Sequence, residues 1–421
     1  MTQSWNEIGW GPWPPSTRLP QEPPAEDVRR RLQLPVSLRP VSGPGVVQRP
    51  VFDPALLHYA RAMRAGDPQF EDPRVGARWY AARRTACDHV ITAIAGSVWR
   101  DHLVLRGSLL LAAWLGPAAR EPGDLDFVVL PRTLKAEDGK ADRMLEELIR
   151  LAEDASTGTP VEIRGGGAVE ESIWTYDRVP GRRLVLPWRA EGLPSGQVQL
   201  DFVFGEHVVM LPEPVRVPRV DGRPSPVVFG ATPELSLAWK LLWLITDMHP
   251  QAKDLYDAAL LAQVTDLEPR LLREVLAEAW TAPPPYGELT RAVREVEWEE
   301  FVKEYPALSV EPEELERKLL ENVAEAFAGA EELSGDAYAQ KVERLAPALE
   351  RCRRLPAEER ADALKGVPLL DAAVIRNELL GRTRADIDAS FWEVVNGAGV
   401  DPAFYLKNTL LMQECLGPLR G

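Results

Sequence analysis

LRGSLLLAAWLGPAAREPGDLDFVVLP, Leu105–Pro131, opens with a glycine–serine pair and ends by placing two acids at the head of an apolar run. Leu125–Leu130 has strand character, and in a strand successive side chains point to opposite faces. Asp124 and Asp126 therefore share one face, and Leu125 and Phe127 share the other. Two carboxylates on one face repel each other unless a cation lies between them. Upstream, LVLR reads as a short strand, and Gly107–Ser108 opens the buried-looking helix SLLLAAWL. A strand that passes through glycine into a helix N-terminus suits a phosphate. Glycine lets the backbone approach, and the first N–H groups of the helix are free to donate.

The rest of the chain narrows the chemistry. With 421 residues it should hold two or three domains, and 45% hydrophobic and 27% charged residues are ordinary for a soluble globular protein. No apolar run is long enough to span a bilayer, and the start lacks a basic flank with an apolar core, so a cytoplasmic protein without a secretory signal is expected. Cys87, Cys352 and Cys415 are far apart, and the five histidines show no ligand spacing. This argues against disulfides and against a zinc or histidine metal centre. A net charge of −15 argues against a protein that grips nucleic acid over a broad surface, while allowing a local basic patch.

Residues 1–54 are proline-dense and read as an extended or partly disordered arm, its Trp5, Trp10 and Trp13 either docked on the body or held for a partner. From Asp53, an N-cap followed by Pro54, a helix is expected over DPALLHYARAMRAGD. A longer helix follows over PRVGARWYAARRTACDHVITAIAGSVW, where Val75, Trp79, Ala82, Ala86, Val90 and Ile94 recur at helical spacing. After LDFVVL and a helix around KADRMLEELIRLAEDA, three strands are expected: AVEESIWTYDRV, GRRLVLPWRA and GQVQLDFVFG. In the last, Val198, Leu200, Phe202 and Phe204 share a face, and Asp201 points the other way. A short strand then leads to a helix capped at Thr232, and helices continue to the end. The expected fold is α/β (α+β), with a mixed sheet and leading helices in a lobe over 55–230, followed by a mainly α-helical lobe over 231–421.

If the strands holding Asp124, Asp126 and Asp201 pair, three carboxylates meet on one patch. Oxygen-only sites of this kind suit Mg²⁺, which takes one or two carboxylates with water and substrate phosphates. Two such ions could activate an attacking oxygen and stabilise a leaving pyrophosphate. Lys240, within LAWKLLWL, is either a snorkelling lysine or a cation for phosphates. Asp254 and Asp257 share a helical face, as surface acids or with Asp254 paired to Lys240 or near the transferring group. Trp239 and Trp243 read as core between the lobes rather than a base-stacking platform. Ser108 is expected to serve as a phosphate- or metal-linked hydroxyl, not as a covalent nucleophile.

Together these segments resemble the nucleotidyltransferase-fold toxins of the AbiEii/AbiGii abortive-infection family. LRGSL is similar to the family's L-K-G-G-T, and REPGDLD to its R-x-S/T-x-D-[IL]-D, with Arg120 four residues before Asp124. VQLDFVFGE looks like the third-acid strand, PELSLAWKLLWL like the helix bearing the family lysine, and KDLYDAALL like R-D-x-x-D-[LI]. The likeness runs from about Pro73 to Gln263. Arg106, Ser108 and Leu109 replace the usual lysine, second glycine and threonine, and Lys253 stands where arginine is typical. The resemblance implies a Mg²⁺-dependent nucleotidyltransferase, with one or two ions, acting as a toxin or phage-defence effector. Asp124, Asp126 and Asp201 would hold metal, with Asp201 completing the site or helping to deprotonate the acceptor. Gly107, Ser108, Arg120 and Lys240 would bind the nucleoside triphosphate, and Lys240 and Asp254 would join the acids in catalysis. It further implies an RNA acceptor such as the tRNA 3′ end and a cognate antitoxin, and no membrane partner. The same residues would also serve transfer to a small molecule or a protein side chain. A non-catalytic binding protein on this fold is disfavoured because all three acids are present.

Overall fold

The computed structural model describes residues 4–420 except 176–178, 278, 280–285, 306 and 334. Eight of the described strands form one mixed sheet. In chain order they follow four short N-terminal strands, β1 (Val46–Val47), β2 (Pro50–Phe52), β3 (Met63–Ala65) and β4 (Gln69–Phe70). They are β5 (Leu103–Arg106), β6 (Leu125–Val129), β7 (Val161–Ile163), β8 (Val169–Thr175), β9 (Val179–Ala190), β10 (Gly196–Val203), β11 (Glu213–Arg216) and β12 (Val227–Gly230). The order across the sheet is β11-β12-β5-β6-β10-β9-β7, with β8 also paired to β9. The last part of the expected strand over AVEESIWTYDRV, residues 176–178, lies outside the described residues, as does residue 334, where the helix over SGDAYAQKVERLAPALERCRRL was expected to begin.

Alternation decides which face of this sheet is buried. Leu125, Phe127, Val198, Leu200 and Phe202 are at most 1% exposed, and the Phe127 and Phe202 rings stack at 5.6 Å. The helices α1 (Glu26–Leu32), α2 (Pro73–Ala95), α3 (Ser108–Leu115) and α4 (Gly139–Ser156) precede the strand cluster. Of these, α2 and α4 pack together over the apolar face, where Trp79 of α2 meets Trp188 of β9. The expected α2 forms with Asp72 as its N-cap and Pro73 at its first position, a pairing that satisfies one free N–H and spends none.

The N-terminal segment departs from the expected helix over Asp53–Asp67. Only Pro54–Leu56 turns, as a single 3₁₀ turn capped by Asp53, and β3 instead pairs antiparallel with β2, Met63 opposite Phe52. Tertiary burial overrides local helix propensity here. Met63 joins a small core of Trp5, Ile8, Leu19, Leu34 and Leu38, while Leu56 and Ala62 pack on Ile173 of β8. Trp5 is thus docked and Trp10 is exposed. The segment is fixed to the sheet by Glu171 of β8, whose carboxylate accepts from the backbone N–H groups of Val36 and Ser37 and from the Ser37 hydroxyl.

Beyond β12 the described chain is helical. α5 (Pro233–Thr246) starts at Thr232, whose hydroxyl accepts from the Leu235 N–H. It packs against α6 (Ala252–Leu261), α7 (Pro269–Leu276) and α8 (Tyr286–Glu295). α9 (Trp298–Glu304), α10 (Pro312–Glu332), α11 (Ala337–Arg353) and further short helices complete the chain. The last of these return to the sheet edge, where Phe404 stacks on Phe229 and the Tyr405 hydroxyl donates to the Pro212 carbonyl. One continuous apolar core runs through sheet and helices. Among the described residues no helix is long and apolar enough to cross a membrane.

Candidate active site

The polar face of the sheet carries a row of charges set by register. Arg106 of β5 lies opposite Asp126 of β6, Asp126 opposite Asp201 of β10, and Asp201 opposite Arg183 of β9. Neighbouring strands are about 4.8 Å apart, so these side chains are forced into one another's company. They form the floor of an open cleft of about 190 Å³. Gly107–Ser108, α5 and α6, Glu304–Tyr305 and the N-terminal segment line its walls.

Gly107 has a φ of +79° and a ψ of −156°, a conformation open essentially to glycine alone. A Cβ there would lie 2.4 Å from Asp126 Oδ2. The glycine therefore serves the turn into α3 and the close approach of an acid, and Ser108 follows as the first, buried residue of the helix.

Asp124 and Asp126 are half-buried at the cleft floor. Burial pushes both carboxyls above the usual range. Asp201 adds to this for Asp124, and Asp124 adds to it for Asp126, against the pull of nearby cations that include Lys253 for both acids. Asp201 is raised by burial too, against the pull of Arg183. Its two oxygens accept from Arg183 Nε at 2.9 Å and Nη2 at 2.8 Å, a bidentate pair. The third guanidinium nitrogen, Nη1, donates at 2.7 Å to Asp53 of the N-terminal segment. The three acids thus share one cleft but differ in state: Asp201 is engaged, and the other two make no hydrogen bond or ion pair among the described residues.

Lys240 and its partners form a second group. Lys240 Nζ lies 2.6 Å from Asp254 Oδ1 and 3.0 Å from Asp257 Oδ2. Arg120 grips Asp257 through Nε and Nη2 and reaches the Tyr305 hydroxyl through Nη1. Lys240, Asp254, Asp257 and Arg120 are nearly sealed from solvent, with Asp257 at 0% exposure. Burial works against the Lys240 charge, but the two carboxylates outweigh it and its pKa is raised; Asp257 is likewise held low by Arg120 and Lys240. Lys240 is therefore no snorkelling lysine, and Asp254 and Asp257 are no surface acids. This cluster joins α5 to α6 and to the loop before β6, at the edge of the cleft. Trp239 and Trp243 are buried as expected, and the Arg106 guanidinium lies over both rings, at 5.6 and 5.2 Å.

Three cleft residues escape a reading of the sequence. Asp53 and Arg64 come from the N-terminal segment and Glu304 from α9, with Arg64 Nη2 2.5 Å from Glu304 Oε1. Nothing in their local sequence marks them, because the fold brings them in from far along the chain. Arg183 has a readable signal: β9 and β10 form a hairpin, and counting back from the turn sets Arg183 against Asp201.

The side chains present bear on a Mg²⁺ site in two ways. Among the described residues no three acidic, histidine or cysteine groups converge closely enough to hold a metal as they stand. Asp124 and Asp126 nevertheless fit such an ion, being two partly exposed, unpaired carboxylates beside a glycine turn. Mg²⁺ needs no more than that from protein when phosphates and water supply the rest.

Among solved structures, the chain is similar to MenT4, a nucleotidyltransferase toxin from Mycobacterium tuberculosis H37Rv, at 18% identity and a TM-score of 0.42, over 70% of this chain and 96% of that one. No curated protein matches the chain. The family model described as "Nucleotidyl transferase AbiEii toxin, Type IV TA system" matches residues 90–351, well over half of the chain. By that match the chain belongs to the AbiEii family of nucleotidyltransferase toxins of type IV toxin–antitoxin systems, and it is a nucleotidyltransferase.

Proposed function

We propose that this cleft moves a nucleotide from a nucleoside triphosphate to an RNA hydroxyl, the tRNA 3′ end being the leading acceptor, and that a cognate antitoxin restrains it. The observation that carries the reading is the pair of unpartnered carboxylates, Asp124 and Asp126, against the Gly107–Ser108 turn. The acceptor oxygen bonds to the α-phosphorus, the bond from that phosphorus to the bridging oxygen of the β-phosphate breaks, and pyrophosphate leaves. The hydroxyl proton passes to water in the open cleft.

Mg²⁺, when bound, supplies positive charge against the attacking oxygen and the leaving pyrophosphate. Asp124 and Asp126 would hold it, with Asp201 as the third acid. Gly107 and Ser108 receive phosphate oxygens at the α3 N-terminus. Lys253 lines the cleft and has no ion-pair partner among the described residues, so it is available for the triphosphate. Lys240 and Arg120 act from behind, fixing Asp254 and Asp257 and with them the helix that carries Lys253. Positioning and charge complementarity do most of the work.

The cleft does not share the acidity of the whole chain, so its charge does not oppose an anionic acceptor. Basic and acidic side chains line it in equal number, although the chain as a whole carries −15. Purified protein with each labelled triphosphate, Mg²⁺ and total tRNA tests the reading. Label should appear in RNA and vanish in Asp124→Ala and Asp126→Ala. Label in protein or in a small molecule instead would move the acceptor to those classes, and transfer that survives both substitutions would reject the site.

A further inference from the structure

Asp201 has a rival for any metal: the cation already on it. Arg183 lies opposite Asp201 in the β9–β10 register, is 2% exposed, and spends two of its three nitrogens on that carboxylate. A buried guanidinium that lost its only carboxylate would be left an uncompensated charge, and this is among the costliest defects a core can hold. The third nitrogen prevents that outcome. Asp53 takes Arg183 Nη1 at 2.7 Å through Oδ2, while its Oδ1 accepts from the Ala55 N–H at 3.1 Å and so fixes the carboxylate in place. Burial raises the Asp53 pKa, but Arg183 and Arg64 together bring it below the ordinary value, so Asp53 is ionised. Asp53 lies before the family-matched residues 90–351, on a segment that Glu171 pins to the sheet.

Building on the assignment of the acids above, we infer that Arg183 and Asp53 are positioning residues that govern the metal's access to Asp201. Arg183 holds Asp201 while the metal is absent and competes with the metal for it. Asp53 keeps Arg183 paired once Asp201 turns to the metal, and so makes the exchange possible. The N-terminal segment is then part of the catalytic apparatus and not an appendage.

The two residues act with opposite signs. Arg183→Gln removes the competitor and should tighten Mn²⁺ binding to the nucleotide-free protein about five-fold or more. Asp53→Asn leaves Arg183 dependent on Asp201 alone and should weaken the same binding by about ten-fold. Titration of the full chain with Mn²⁺, read by electron paramagnetic resonance, measures both without recourse to activity. Melting curves establish that each variant is folded, and Arg183→Lys, which loses the bidentate grip, replaces Arg183→Gln with the same sign if the latter does not fold. Asp124→Ala and Asp126→Ala report on the site itself: if either binds Mn²⁺ like the parent, the assignment of the metal acids fails. If those variants lose Mn²⁺ while the Arg183 and Asp53 variants shift binding in the same direction, or leave it unchanged, the site stands and the exchange is overturned.

Discussion

Asp126 and Asp201 face each other across parallel strands, in register, on the polar side of a sheet whose other side is packed with Phe127 and Phe202. Like charges directly opposite each other destabilise a strand pair, and of the two only Asp201 is held in an ion pair among the described residues. A protein built for stability alone would not keep this arrangement, and functional sites are where such costs are expected.

Replacing either free acid should therefore separate stability from activity. Asp126→Asn and Asp124→Asn keep the shape and remove the repulsion. Their melting temperatures should equal or exceed that of the parent in metal-free buffer, while nucleotide transfer should fall by about a hundred-fold or more. Parallel losses of stability and activity would mean that the carboxylates serve the fold.

Gly107 gives a second separation. Gly107→Ala places a methyl group 2.4 Å from Asp126 Oδ2 at a φ of +79°. It should cost about 1–3 kcal/mol of stability, measured by denaturant unfolding, and should abolish transfer by displacing Asp126. Ser108→Ala, which adds no bulk, should leave stability within about 1 kcal/mol and raise the KM for the triphosphate. A Gly107→Ala variant as stable as the parent would show that the turn has room to spare.

The contrast between these acids and their partners shows what is legible in the sequence. Asp124, Asp126 and Asp201 stand out because an acid in an apolar alternating run breaks a local pattern, and the strands themselves are read from the same runs. Lys240 stands out as the one charge in LAWKLLWL, yet whether it serves phosphates or the fold depends on Asp254 and Asp257, which only packing brings to it. Asp53 and Arg64 are invisible as cleft residues because their neighbours read as a helix. The helix gives way once Met63, Leu56 and Ala62 find apolar partners in two small clusters.

For Lys240 the structure sets a clear expectation. Lys240→Met leaves Asp254 without a cation and Asp257 with Arg120 alone, inside a region nearly closed to water. Breaking a buried pair in this way costs about 3–5 kcal/mol. The double variant Lys240→Met with Asp254→Leu should recover much of that loss. If the single variant melts like the parent but binds triphosphate poorly, Lys240 faces the nucleotide and not the helix pair.

Glu171 ties the N-terminal segment to the sheet through Val36 and Ser37. Glu171→Leu removes three acceptor contacts from buried or half-buried donors, at about 1–3 kcal/mol for each donor left unsatisfied. The expected outcome is local release: limited proteolysis should cut within residues 20–45 several-fold faster, with the body intact. Unchanged cleavage would mean that the small Trp5–Met63 core holds the segment without Glu171.

Glu213 provides the pH dependence. Burial pushes its pKa from 4.5 up to about 7, with Glu234 and Asp371 adding to the shift and the Leu369 N–H opposing it. That N–H donates to Oε1 at 2.6 Å. A folded-state pKa above the unfolded value means that the native protein holds a proton which the unfolded chain has released. The stabilisation is complete below about pH 4.5 and is lost as pH rises through about 7. Glu213→Gln keeps the acceptor and removes the titration. Its melting temperature should match that of the parent near pH 4.5 and exceed it progressively up to about pH 8, by no more than about 3 kcal/mol in stability. Curves that stay parallel over this range would place the Glu213 carboxyl in water and its proton elsewhere.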